Sequence, residues 1–134
     1  MSDQLPSASI MVRVRYFETD QMQVAHHAHY FVWFEAARSE FCRVRGIDYT
    51  QMEKQGYFLP IVEAHCRYLA PALYDEEITV TASITAAKRR TLRMGYTVTR
   101  GETTLATGET YQLVVGPEKR PRTLPDDFYA LFTS

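Results

Sequence analysis

The residues best suited to chemistry lie in one short segment, where Asp20 follows a strand-like pattern and precedes a helix-like one. A carboxylate in this position can act as a nucleophile or as a general base toward water. The unpaired backbone N–H groups at the start of the next helix can stabilise negative charge that develops on a carbonyl oxygen. Because an Asp near a helix start is more often a cap or turn residue, its neighbours must decide between the two interpretations.

Hydrophobic periodicity indicates the elements that position this segment. Apolar residues alternate through residues 10–16, which predicts a half-buried strand. A stripe of helical spacing follows, and Gly46 supplies a stop signal after it. The stripe consists of Tyr30, Trp33, Phe34, Ala37, Phe41 and Val44.

The remainder of the chain predicts four closely connected strands and no second long amphipathic helix. The strand patterns span residues 59–69, 78–84, 92–98 and 104–115. Gly95 and Gly108 interrupt two of them and suggest a bulge or bend, and Pro125 opens a short terminal helix. One helix cannot cover both faces of a sheet, so we expect an α+β fold whose sheet curls around the long helix.

The segment 16–38, YFETDQMQVAHHAHYFVWFEAAR, closely resembles the 4-hydroxybenzoyl-CoA thioesterase family, and above all its bacterial acyl-CoA thioesterase branch. In that branch the segment typically reads Y-x-x-T-D-x-x-G-V-V-x-H-x-x-Y, followed by E-x-A-R on the helix. This chain departs from the pattern at Gln23, where Gly is usual, and at Ala25, where a second small aliphatic residue is usual. The first departure affects the loop geometry, because Gly tolerates backbone angles that Gln does not.

The resemblance implies a hotdog fold, a five-stranded antiparallel sheet wrapped around one long central helix. It also implies a homodimer or homotetramer with active sites at subunit interfaces. The implied reaction converts an acyl or aroyl thioester to the free carboxylic acid and CoA, without a metal or an organic cofactor. By residue-for-residue transfer, Asp20 is the catalytic carboxylate, Tyr16 and His27 are supporting polar groups, and the backbone N–H near His27 is the oxyanion donor.

Two other functions fit the same fold. One is a hydratase or dehydratase acting on acyl thioesters, and the other is a non-catalytic module that binds acyl-CoA or a carrier-bound acyl chain. The Y-x-x-T-D approach to the helix favours hydrolysis over hydration, whereas the loss of Gly at position 23 leaves room for a binding module. Acyl carrier protein is the alternative carrier of the acyl group.

A basic tripeptide, Lys88, Arg89 and Arg90, lies at a turn between two predicted strands. A solvated turn is the ordinary interpretation of such a cluster. CoA phosphates, however, need positive charge at a pocket mouth, and the fork of an Arg side chain suits phosphate geometry. Relatives resemble this chain in carrying a basic run at the same turn, so we predict that these residues contact the phosphates of the substrate.

The histidines His26, His27, His29 and His65 raise the question of a metal site. Adjacent side chains on an extended loop point apart, and no acidic or Cys ligand lies at a familiar spacing. The sequence therefore predicts no metal site.

Two further carboxylates are alternatives to Asp20. Glu35 on the helix is an accessory acid or, more simply, the partner of Arg38 three residues later. Glu63 is expected to form a cross-strand polar contact.

Composition places limits on the rest. The 134 residues, 46% apolar and 23% charged, predict one hotdog thioesterase domain over residues 9–134 after a disordered or frayed segment 1–8. A net charge of −1 gives no general attraction for nucleic acid.

Cys42 and Cys66 suggest reduced thiols rather than a disulfide scaffold. With no leader-like N-terminus and no apolar run of about 18 residues, we expect a cytoplasmic protein without stable membrane insertion.

Overall fold

The computed structural model describes residues 6–133, and its elements follow the predicted order. The strands are β1 (Ser7–Arg13), β2 (Ile61–Tyr68), β3 (Glu77–Ala87), β4 (Thr91–Arg100) and β5 (Thr103–Leu113). The helices are α1 (His29–Val44), α2 (Tyr49–Lys54) and α3 (Asp126–Thr133), and a 3-10 turn, Tyr16–Glu18, lies between β1 and α1. None of the helices within the described residues is both long and apolar enough to cross a membrane.

The first strand begins earlier and ends earlier than its sequence pattern predicts. Ser7 and Ala8 pair with β3, so the frayed segment predicted for residues 1–8 extends too far, and its residues 1–5 lie outside the described part of the chain. At the other end, β1 stops at Arg13, and Tyr16 belongs to the 3-10 turn rather than to the strand.

The five strands form one antiparallel sheet in the order β1-β3-β4-β5-β2, and α1 packs against it. Alternate residues of β3 and β4 face the helix, because side chains in a strand point to opposite faces. At the centre the Phe34 ring of α1 stacks on Tyr96 of β4, with 4.5 Å between the ring centroids. This architecture confirms the predicted hotdog fold.

The helix α1 buries the aromatic stripe that its sequence predicts, with one exception. The buried side chains are Tyr30, Trp33, Phe34, Ala37, Phe41 and Cys42. Val44 is 53% exposed, so it is wrongly assigned to the stripe. Gly46 has a φ of 73°, the left-handed conformation that commonly follows a helix end, and confirms the predicted stop.

The glycines within the strands allow close packing rather than marking bulges. Irregularities in the ladders occur elsewhere, for example between Ile84 and Ala86. A Cβ atom at Gly108 would overlap the Phe34 ring, and one at Gly95 would crowd the side chain of Thr85. The strand ladders keep their register at both glycines, so of the predicted bulge or bend the bulge is wrong. Gly108 is required because α1 approaches β5 closely there.

The strand β2 lies at one edge of the sheet and is exposed along most of its length. Among the described strands it pairs only with β5, and seven of its eight residues are exposed, Cys66 being the exception. An exposed edge carries unpaired backbone groups that can pair with another strand.

Candidate active site

Asp20 lies in a tight loop between the 3-10 turn and α1, and its side chain is exposed. Its Oδ1 atom accepts hydrogen bonds from the backbone N–H groups of Met22 at 2.8 Å and Val24 at 3.4 Å. The Oδ2 atom accepts none from residues 6–133. One oxygen therefore holds the side chain in place, while the other is available to a reacting group.

The residue that departs from the family pattern, Gln23, adopts the conformation expected of glycine. Its φ is 63°, in the left-handed region, which costs a non-glycine residue about 1 kcal/mol. Its N–H donates to the Asp20 carbonyl at 2.9 Å, and its own carbonyl accepts from Tyr74 N at 3.1 Å. The tight loop is therefore formed despite the substitution. The second departure, Ala25, is buried, and its N–H donates to the Ala72 carbonyl.

The backbone N–H of His27, just before α1, differs in its pairing from the N–H groups on either side of it. His26 N donates to the Glu18 carbonyl at 2.7 Å, and Ala28 N donates to His26 Nδ1 at 3.2 Å. Within the described chain no acceptor is found for the N–H between them, that of His27. An unpaired N–H beside the positive end of a helix dipole is suited to binding an oxyanion.

Tyr68, which the sequence analysis did not single out, contacts the same segment from β2. Its hydroxyl donates to the His27 carbonyl at 2.8 Å, and its ring packs edge-on against Tyr30 of α1. Partial desolvation, with Cys66 and Tyr30 nearby, raises the pKa of Tyr68 to about 12, so the hydroxyl keeps its proton far above neutral pH. The only sequence signal for Tyr68 was its position near the end of the strand pattern at residues 59–69.

Tyr16 forms no side-chain hydrogen bond or ring contact with Asp20 or His27 in the described part of the chain. Its ring is 71% exposed and packs edge-on against Tyr74, with 5.8 Å between centroids. The His27 ring stacks on His26 at 4.2 Å. The structure thus brings the backbone of the predicted residues into one loop, but it does not join their side chains in a hydrogen-bonded triad.

A buried carboxylate, that of Glu18, connects the start of the Asp20 loop to α1. It accepts from the Arg15 N–H at 2.8 Å and from the Trp33 indole Nε1 at 2.9 Å. Burial alone would raise the pKa of Glu18, but these hydrogen bonds and the charge of Arg15 together lower it below the ordinary value of 4.5. Nothing in the sequence marked Glu18 as buried, because its partner Trp33 lies 15 residues away.

Exposed apolar side chains surround the Asp20 loop and form what we call the apolar collar. The collar consists of Tyr16, Phe17, Met22, Leu73 and Tyr74. Leu73 and Tyr74 belong to it because they contact the loop through a bridge to Val24 and a hydrogen bond to Gln23. Large exposed apolar patches usually mark a surface that another molecule covers.

The basic turn at residues 88–90 lies at the opposite end of the sheet from Asp20. The turn follows the Ala87 end of β3, whereas the Asp20 loop lies near the Glu77 end. The 11 residues of β3 separate the two ends by about 33 Å. Arg89 pairs with Asp126 and lies over the Tyr129 ring, and Arg90 donates to Thr123. Two of the three side chains therefore hold α3 and the segment before it.

A cavity of about 900 Å³ opens at the same end of the sheet as the basic turn. Its walls are mainly apolar and come from the segment before β2, the end of β5 and the residues after it; among them are Phe58, Leu59, Ile61, Leu113 and Val115. Arg38 and Gln112 add polar groups. In size and lining it resembles a small-molecule pocket.

The alternative carboxylates, Glu35 and Glu63, do not make the contacts predicted for them. Arg38 donates to the Tyr96 hydroxyl at 3.0 Å and forms no ion pair with Glu35 in the described chain, so the predicted local pair is wrong. Glu63 interacts with His65 on its own strand at 3.3 Å rather than across strands.

Neither thiol has the character of a nucleophile. Cys42 and Cys66 form no disulfide, and burial raises the pKa of both. Both thiols therefore stay protonated at neutral pH.

Comparison with known proteins identifies the family. The family model of the thioesterase-like superfamily matches residues 14–132. The chain belongs to this superfamily. A putative esterase of Aquifex aeolicus is 33% identical over 103 residues, which cover 77% of this chain and 80% of that protein.

Two further similar proteins are the acyl-CoA thioester hydrolase YbgC of Escherichia coli O6:H1 and the hypothetical protein TT1821 from Thermus thermophilus. YbgC is 29% identical over 123 residues, covering 90% of this chain and 92% of YbgC. The crystal structure of TT1821 superimposes with a TM-score of 0.85 at 36% identity and covers 93% and 96% of the two chains. Membership of the thioesterase-like superfamily confirms three predictions from the sequence: the resemblance to thioesterases, the hotdog fold and the thioester-hydrolase class.

Proposed function

We propose that this superfamily member hydrolyses acyl-CoA thioesters to a free carboxylic acid and CoA, with Asp20 as the catalytic carboxylate. The observation that carries the proposal is the arrangement at the two ends of one loop. Asp20 Oδ2 is unoccupied by any described residue at one end, and the His27 N–H is unpaired at the other. A carboxylate and an oxyanion donor are the two groups that acyl transfer requires.

Two routes use these groups in the same positions. In the first, Asp20 Oδ2 attacks the thioester carbon, the carbonyl electrons move to oxygen beside the His27 N–H, and collapse expels the CoA thiolate. Water then hydrolyses the resulting mixed anhydride. In the second, Asp20 takes a proton from the attacking water and returns it to the departing thiolate. Rapid-quench mass spectrometry separates the routes, because only the first adds the acyl mass to the protein.

The proposed catalytic unit is a homodimer joined through β2. The free edge of this strand carries exposed Ile61, Val62 and Tyr68, which suits antiparallel pairing with the same strand of a second copy. Antiparallel pairing brings the Ile61 end of one copy next to the Tyr68 end of the other. The partner's cavity and basic turn, which are remote from Asp20 within one chain, then lie at the same end as Asp20. A homotetramer built from two such dimers is the alternative assembly.

The partner subunit then supplies the binding groups for the substrate. We assign the acyl group to the apolar cavity and the CoA phosphates to the partner's Lys88, Arg89 and Arg90. The ion pair with Asp126 leaves the Arg89 side chain 44% exposed, and Lys88 has no side-chain partner among the described residues. Acyl carrier protein is the alternative carrier, and the two free thiols support a cytoplasmic location.

The central test is Asp20→Asn with release of CoA thiol as the measurement. Asn keeps an Oδ1 atom that can accept from Met22 and Val24, so the loop is retained while the charged Oδ2 is lost. We expect a loss of at least about 100-fold in kcat for any acyl-CoA that the wild type cleaves. Asp126→Asn, a loss of charge at the far end of the sheet, is the matched control. Turnover by D20N at the wild-type rate would overturn the proposal.

The dimer is tested separately by a charge on the strand edge. Val62→Arg places a cation on β2, and we expect a monomer in sedimentation velocity together with loss of thiol release. Met11→Arg, at an exposed position on the opposite edge strand β1, is the control and should leave the dimer intact. An active monomer of V62R would contradict the assignment of cavity and basic turn to the partner.

A further inference from the structure

The carboxylate of Glu18 is the only one that is fully buried among the described residues, with 1% of its surface exposed. Both of its oxygens are acceptors for fixed donors. Oε1 accepts from the backbone N–H of Arg15, and Oε2 accepts from Trp33 Nε1 and, at 3.4 Å, from the Arg15 guanidinium. Every hydrogen-bond partner of the carboxylate is therefore a donor, which favours the ionised form because a protonated oxygen would turn a hydrogen toward these donors.

The main chain of Glu18 holds the other end of the loop. Its carbonyl accepts from His26 N at 2.7 Å, and the next residue, Thr19, bridges to Ala25. The Glu18 side chain thus bonds the start of the loop to Trp33 of α1. The Glu18 carbonyl bonds the same point to His26, at the end of the loop. Asp20 follows this junction by two residues, and the unpaired N–H of His27 follows it by one.

We propose that Glu18 is a positioning residue, which acts through its hydrogen bond to the Trp33 indole to hold Asp20 and the His27 N–H in fixed relation to α1. This inference rests on the proposed function of Asp20. A displacement of about 1 Å at a reacting group can lower a rate about 100-fold, so the position of the loop is as important as its composition.

The first variant, Glu18→Gln, changes one acceptor into a donor with almost no change in shape. Whichever way the amide is turned, its NH2 group meets the Arg15 N–H or the Trp33 N–H, so two donors face each other. We expect kcat to fall roughly 10- to 100-fold with KM changed by less than about 3-fold. Glu40→Gln is the matched control, because it removes the charge of a partly exposed helix carboxylate that pairs with Arg43.

The second variant, Trp33→Phe, removes the indole donor but keeps an aromatic ring in the core. Combining it with Glu18→Gln allows the amide NH2 group to occupy the place of the indole N–H, which relieves the conflict between donors. We therefore expect the double variant to lose less kcat than the product of the two single losses. Losses that multiply would show that the two residues act independently and would overturn the proposal.

Fluorescence provides a measurement that does not depend on activity. Trp33 is the only tryptophan in the chain, and its indole N–H is bonded to Glu18. In folded E18Q we expect the emission maximum to shift while the far-ultraviolet circular dichroism stays that of the wild type. E40Q should shift neither signal.

The outcomes separate this inference from the proposed function. If D20N is inactive but folded E18Q keeps kcat within about 2-fold of the wild type, Glu18 is a structural residue only and the inference is wrong. If the wild type cleaves no acyl-CoA, the proposed function fails, while the E18Q emission shift still reports the bond. If E18Q does not fold, W33F tests the same bond, and wild-type kcat in W33F would overturn the inference.

Discussion

The Tyr68 hydroxyl donates a hydrogen bond of 2.8 Å to the His27 carbonyl, although 41 residues separate the two in the chain. This bond joins the edge strand β2 to the segment that presents the unpaired His27 N–H. The strand that we propose as the dimer interface is thus directly linked to the proposed oxyanion donor. A change at the strand edge can therefore reach the proposed active site through a single hydrogen bond.

Removal of this bond should affect turnover more than folding. We expect Tyr68→Phe to lower kcat about 3- to 10-fold, because the His27 peptide loses its anchor, and to lower the free energy of unfolding by about 1 kcal/mol. Tyr111→Phe, on a tyrosine that lies under the Arg93 guanidinium, is the control for loss of a hydroxyl. Steady-state thiol release and urea unfolding check the two expectations; an unchanged kcat in Y68F would remove Tyr68 from the site.

The conformation of Gln23 makes a prediction about its substitutions. Gly adopts a φ of 63° without strain, so Gln23→Gly should keep kcat within about 2-fold of the wild type. Val is β-branched and strongly disfavoured there, so Gln23→Val should lower the free energy of unfolding by about 1 to 3 kcal/mol and reduce thiol release. Thermal unfolding and thiol release measure both variants. Equal stability of Q23V and Q23G would show that the loop adopts another backbone conformation in solution.

The buried Glu18 predicts how stability depends on acid. Its pKa is lower in the folded protein than the ordinary value of 4.5, so the unfolded chain takes up a proton first as the pH falls. The stabilisation is fully present above about pH 4.5 and is lost as the pH falls through the folded-state pKa. We expect the free energy of unfolding of the wild type to fall more steeply below pH 4.5 than that of E18Q. Parallel curves from urea titrations over this range would contradict the prediction.

The basic turn predicts an effect on substrate binding alone. Combined Arg89→Gln and Arg90→Gln should raise KM for acyl-CoA several-fold with little change in kcat, because phosphate contacts lie far from the reacting carbonyl. The increase should shrink at high salt, where charges are screened. Asp126→Asn breaks the ion pair but keeps the Arg89 guanidinium, so its KM should stay near the wild-type value. An equal KM in all three proteins would exclude the turn from phosphate binding.

The elements of the fold follow from local pattern, and the errors arise where packing over long distances decides. Gly46 ends α1 as predicted, because the left-handed conformation after a helix is a local property. Val44 continues the helical stripe but is exposed, since periodicity within a helix does not determine which of its turns another element covers. Gly108 looked like a bulge because its true reason, the approach of Phe34, comes from another element.

For the candidate site, too, some features follow from local sequence and others from packing between distant elements. The sequence by itself determined the segment that carries Asp20 and His27 and the helix that follows, because these residues are neighbours in the chain and their spacing matches a family pattern. Only the tertiary structure decided that Glu18 is buried against Trp33, and that Tyr68 reaches the His27 carbonyl. It also decided that the basic turn lies at the far end of the sheet, where two of its side chains hold α3 and the segment before it. The physical reason is that backbone periodicity is set within a few residues, whereas hydrogen-bond partners and burial are set by which elements pack together.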